Sequence, residues 1–98
     1  MPYIPIMKNI RWDERKNEWI KRNRGLGFER VAVLIEQGQV LEVMDHPDQA
    51  KYPKQKMAIV EIDGYACLVP YVDDEEGVFL KTIIPSRKAT KKYLKGKK

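Results

Sequence analysis

The chain has 98 residues, with one cysteine, one histidine and two phenylalanines. The lone thiol, Cys67, excludes an intramolecular disulfide and a thiolate metal cluster. It stands in an apolar run, where a buried inert thiol is expected and not a nucleophile. No segment approaches the roughly 20 apolar residues of a membrane-crossing helix. Residues Met1 to Met7 are apolar, but the stretch is short, carries Pro2 and Pro5, and has no basic lead, so it does not read as a signal peptide. These absences describe a cytoplasmic protein without a membrane partner. Paired carboxylates, a Ser-His-Asp set and a glycine-rich phosphate loop are not discernible. Anions are missing from one place in particular. From Ser86 to Lys98 there are seven cations and no carboxylate, a density that points to a polyanion, nucleic acid first.

The remaining composition is that of an ordinary small globule, 43% hydrophobic and 34% charged, with a formal net charge of +5. Residues 1–98 form a single domain. Within it residues 1–7 read as an N-terminal extension, because recognisable patterning begins at Lys8, and residues 94–98 read as a disordered basic tail. Charge is unevenly placed. Residues 8–30 carry eight cations against four anions, and residues 31–80 carry ten anions against three cations. If both basic ends pack on one side, that face becomes a cationic track.

Lys8 to Trp12 reads as a short strand. Asp13 is an N-cap for a helix over Glu14 to Arg24, closed by Gly25, with Trp19 and Ile20 as its apolar anchors. A second helix starts at Gly27-Phe28-Glu29, with a stripe of Phe28, Val31, Ala32, Leu34 and Ile35, and ends at Gly38. Val40 to Met44 reads as a strand, and Asp45 to Pro53 as a polar loop. Asp63-Gly64 signals a two-residue hairpin between strands Gln55 to Ile62 and Tyr65 to Val72. That turn sets residue 60 opposite 67 and 58 opposite 69. Pro70 marks an irregularity or a free edge. Asp73 to Gly77 is an acidic loop, Val78 to Ile84 the last strand, and Ser86 opens a basic helix. The fold class is α+β: an antiparallel four- to five-stranded sheet, two N-terminal helices packed on one face, and a short basic C-terminal helix. The second sheet face, with Met57, Ile59, Glu61, Ala66, Leu68 and Pro70, is mixed and suits partial cover by a partner.

Three pieces carry a family likeness: Trp12-Asp13-Glu14-Arg15-Lys16-Asn17, the junction Arg24-Gly25-Leu26-Gly27-Phe28-Glu29, and Ile83-Ile84-Pro85-Ser86-Arg87-Lys88-Ala89-Thr90 with Tyr93. In this order and spacing, from Lys8 to Tyr93, the chain resembles the BrnT toxins of type II toxin–antitoxin systems. Gly27 stands where the family has a serine, and Lys81 where it has a strand arginine. The resemblance implies a RelE-like fold and an endoribonuclease that cuts messenger RNA. It also implies a cognate antitoxin of ribbon-helix-helix type, with operator DNA reached only through that antitoxin.

A metal-independent ribonuclease must deprotonate a 2′-hydroxyl, stabilise the phosphorane and protonate the 5′-oxygen. Arginine matches phosphate oxygens, and lysine supplies a point charge or a proton. The candidate catalytic residues are Lys81, Arg87, His46 and Lys16. The candidate RNA-binding residues are Arg11, Lys56, Lys88, Lys91, Lys92 and Tyr93. No cofactor and no metal is expected. Each has a plainer reading: a structural ion pair for Arg87 or Lys16, a solvated strand lysine for Lys81, a polar loop for His46. Tyr71 or Tyr93 could stack on a base. The alternative to a nuclease is a non-catalytic module that binds nucleic acid or a partner, such as a degenerate toxin serving only operon repression.

Overall fold

The computed structural model describes residues 9–94. The N-terminal extension and the tail from Lys95 onward lie outside the described residues. Leu94, assigned to that tail from sequence, caps the last helix and packs partly against the sheet.

Strand β1 (Ile10–Trp12) leads into helix α1 (Glu14–Arg24). Asp13 caps that helix, its carboxylate accepting from the Arg15 and Lys16 N–H groups at 2.8 and 3.2 Å. Gly25 ends it at φ 72°, donating to Lys21 O. Only Asn17 and Ile20 of α1 are buried. Trp19, an expected anchor, is 47% exposed. One residue away from Ile20, it is turned about 100° off the buried line, and the Arg24 guanidinium lies over its ring. A single buried isoleucine holds a helix by only about 2 kcal/mol, so α1 needs a second tie. Asn17 provides it. Its side-chain oxygen accepts from Phe28 N–H at 2.8 Å, and its amide donates to Glu29 at 2.9 Å.

Helix α2 (Phe28–Glu36) therefore takes its N-terminal cap from α1, because Gly27 has no side chain to offer. A Cβ at Gly27 would crowd Asn17, Lys21 and Glu29. The Glu29 carboxyl is held below its ordinary range, first by a backbone N–H hydrogen bond at Glu29 itself, then by Asn17 and Lys21, against the opposing effect of desolvation. Phe28, Val31 and Ile35 form the buried stripe, and Phe28 stacks on Trp12.

Strands β2 (Glu42–Asp45), β3 (Gln55–Ile62), β4 (Tyr65–Asp74) and β5 (Gly77–Leu80) join β1 in the order β1-β5-β4-β3-β2. The β3–β4 hairpin has the expected register, Val60 opposite Cys67 and Ala58 opposite Val69. Asp63 at φ 54° and Gly64 at φ 80° form its turn. The main core lies between α1–α2 and one sheet face, with Ile20, Phe28, Val31 and Ile35 against Ala58, Val60, Val69 and Leu80. Cys67 is buried there, and burial pushes its thiol pKa up, as an inert thiol requires.

Three expectations need correction. The sheet is mixed and not purely antiparallel, since β1 runs parallel to β5. The acidic segment is a tight turn, because Asp73 and Asp74 belong to β4 and Asp74 lies opposite Gly77. The last strand is broken. After β5, residues 81–83 leave the ladder, and β6 (Ile84–Pro85) rejoins β4 at Cys67 and Leu68. The break faces Pro70, whose carbonyl accepts from Lys81 N–H at 2.8 Å and whose ring nitrogen has no proton to donate. Ile83 is fully buried and Ile84 is 40% exposed, so the chain changes face there. Helix α3 (Arg87–Tyr93) then crosses to the sheet face opposite α1 and α2. The mixed face is thus covered in part by the chain's own helix. No helix of the described residues is long and apolar enough to cross a membrane.

Gly77 adopts φ 134°, and an added Cβ would overlap the Asn9 carbonyl oxygen of the chain entering β1. Gly77→Ala is expected to cost about 2–4 kcal/mol by urea denaturation. Gly38→Ala, at φ 72° with open space around it, should cost only about 1 kcal/mol.

Candidate nucleic-acid interface

Two cations gather about Phe79. Arg11 of β1 lies directly opposite Phe79 of β5. Its guanidinium stands 5.5 Å from the ring centroid, and the Lys81 ammonium stands at the same distance. Strand alternation puts Phe79, with its partner Val72, on the sheet face that carries α3. Lys81 is tied by its backbone to Pro70, two residues along β4 from Leu68, about 7 Å. Leu68 packs against the cluster that includes Ala89 of α3.

Arg11 also meets the acidic turn, with Asp74 at 3.5 Å and Glu76 at 3.7 Å. Asp74 is half-exposed and Glu76 largely exposed, and such bridges are worth about 0–1 kcal/mol. A phosphate can therefore displace them. Arg11 Nε is buried without a hydrogen-bond partner among the described residues.

Helix α3 is positioned by a pair of hydroxyls. Ser86 caps the helix, its Oγ accepting from Ala89 N–H at 3.0 Å. Thr90 Oγ1 donates to Ser86 O at 2.8 Å and accepts the Ala66 N–H at 2.8 Å. The Ser86 N–H in turn donates to Ala66 O at 3.0 Å. Ala89, small and 7% exposed, lets the helix approach the sheet closely. This docking pair was missed from sequence. Its signal was present as hydroxyls four residues apart flanking a small residue, which places Ser86, Ala89 and Thr90 on one helix side.

The helical period sorts the cations of α3. Arg87 and Lys91 stand on the side away from Ala89 and are exposed. Lys88 and Lys92 border a groove of about 260 Å³ between α3 and strands β2 and β3. Tyr93 closes its end, with the Lys92 ammonium 5.3 Å from its ring.

Lys16 and Lys56 are not part of this face, and His46 lies beside the groove, between Met44 and Pro47 of its lining, but far from Arg11. Lys16 sits exposed on α1, across the sheet. Lys56 lies opposite Tyr71, on the α1–α2 side. His46 follows β2, at the far edge of the sheet from Arg11, four inter-strand spacings or about 19 Å away. Its ring rests on Tyr52 at 4.5 Å, and its Nδ1 accepts from Asp48 N–H at 3.0 Å. Tyr71 is withdrawn from base stacking, being 2% exposed in the main core. Burial, then Asp73 and Asp45, raises its pKa to about 12. Among the described residues no group of three His, Cys, Asp or Glu side chains forms a metal-holding cluster.

Neither a family model, nor a curated protein, nor a solved structure matches this chain. Its function must therefore be argued from the α3-bearing face itself. That face offers fixed cations, apolar walls and an aromatic ring, the elements of a surface for single-stranded nucleic acid. It does not bring all four proposed catalytic side chains into one cleft.

Thr90→Val keeps the shape but leaves the Ala66 N–H unpaired, and should cost about 1–3 kcal/mol in urea denaturation. Lys91→Ala, on the exposed side of the same helix, should stay within about 0.5 kcal/mol of wild type.

Proposed function

We propose that the chain is a BrnT-type toxin with a RelE-like fold, a metal-independent endoribonuclease that acts on messenger RNA in the cytoplasm. The observation that carries this reading is the sharing of one sheet face by Arg11, Lys81 and the cationic helix α3. Each of the three motif pieces also has a job in the structure. Asp13 caps α1, Asn17 clamps the α1–α2 junction, and Ser86 and Thr90 seat α3. In the proposed reaction Arg11 and Lys81 stabilise the charge that builds on the phosphorane. Arg87, at the start of α3, draws in the backbone of the RNA. A cognate ribbon-helix-helix antitoxin would neutralise the protein and link it to operator DNA.

One observation favours a second reading, a binding module that grips RNA without cutting it. His46 lies at the opposite sheet edge from Arg11, and Lys16 stands on the opposite face. The carboxylates that do stand beside Arg11, those of Asp74 and Glu76, are engaged with its guanidinium.

Induced expression distinguishes the two. A nuclease arrests growth and fragments transcripts, Lys81→Ala reduces cleavage by about 10²-fold or more, and Arg87→Ala weakens RNA binding. Lys16→Ala leaves cleavage within a factor of about three, because Lys16 lies across the sheet. Intact transcripts from soluble, folded protein that still binds RNA would establish the binding module instead.

A further inference from the structure

We propose that the groove between α3 and the β2–β3 strands is a subsite for one unpaired nucleobase, with Lys88 and Lys92 holding the flanking phosphates. The proposal rests on the reading of this face as an RNA surface and specifies how that surface would use its apolar part. The floor is Ile59 and Met57, which are nearly covered, and the walls are the half-buried Met44, Leu68 and Tyr93. A planar ring inserted there meets methionine thioethers and an aromatic edge, soft surfaces that adapt to flat ligands. The polar fittings all lie on the α3 side: Lys88, Lys92 and the Ser86 hydroxyl. Among the described residues no carboxylate lines the groove, although the middle of the chain is strongly acidic.

Three features select this occupant. Charge complementarity calls for an anionic ligand, since both charged side chains of the lining are cations. The mixture of an apolar slot with cations on one rim fits a molecule with a flat apolar body and phosphate on either side, the repeating unit of a single strand. Size excludes larger ligands. At about 260 Å³ the groove is below the usual range for drug-sized ligands. Base stacking of this kind tolerates different sequences, because each base has a face to offer.

The test uses the full chain and a pair of uncleavable probes, a 2′-O-methyl oligouridine octamer and an abasic octamer of the same backbone. Methyl groups of Met44 and Met57 are followed by NMR, and affinity is measured at fixed salt. The base-bearing probe should bind about ten-fold more tightly and should alone shift the two methionine methyls. Equal affinity for both probes, with unmoved methyls, overturns the base subsite while leaving the cationic RNA surface in place. No binding of either probe removes the RNA surface and the subsite together. Methyl shifts that grow with protein concentration in the absence of any probe assign the groove to a second copy of the chain, which also overturns it.

Discussion

Two backbone groups of a single residue hold the candidate RNA face together. The N–H of Ala66 is taken by the Thr90 hydroxyl, and its carbonyl by the Ser86 N–H. Without those bonds a buried strand edge would be unsatisfied and a seven-residue helix would have little to keep it folded, since short helices are marginal in isolation. With them, the last strand of the sheet passes directly into a helix that lies across β4. Everything assigned to the face depends on this seat. It aims Lys88 and Lys92 at the groove, turns Arg87 and Lys91 to solvent, and covers Ile59 and Ala66.

The broken strand before that helix has a matching cause. Pro70 lacks the proton that a continuous ladder would use, so the chain steps out of register beside it, and Lys81 is presented at the step. One proline thus converts a plain edge of β4 into two short ladders with a cation between them. The acidic turn next to it works in the opposite sense. Asp74 and Glu76 occupy Arg11 weakly, since exposed ion pairs of this kind are worth about 0–1 kcal/mol.

Much of the scaffold was legible in the chain before the structure. Asp13, Gly25 and Asp63-Gly64 act locally through caps and turn geometry, so their elements and the hairpin register could be read directly. The buried stripe of α2 followed from its period. What could not be read was set by contacts between distant residues. Trp19 turned outward because Asn17 and Ile20 took the inward line of α1. The parallel pairing of β1 with β5, 68 positions apart at Ile10 and Val78, leaves no local trace. The candidate site was legible in part for the same reason. Arg11, Lys81 and the basic helix were selected by charge and do share a face, whereas Lys16 and Lys56 have the right charge on the wrong side. Charge type is written in the sequence, but the face a lysine occupies is decided by which way its strand or helix is packed.

Lysine acetylation footprinting, with and without an uncleavable single-stranded RNA, tests most directly whether the α3-bearing face is the one that meets nucleic acid. Each lysine reports its own side of the sheet. Lys81, Lys88 and Lys92 should be protected by RNA while Lys16 and Lys56 react at unchanged rates. Protection of Lys16 and Lys56, with Lys81 and Lys88 unaffected, would place the nucleic acid on the opposite face and contradict the account.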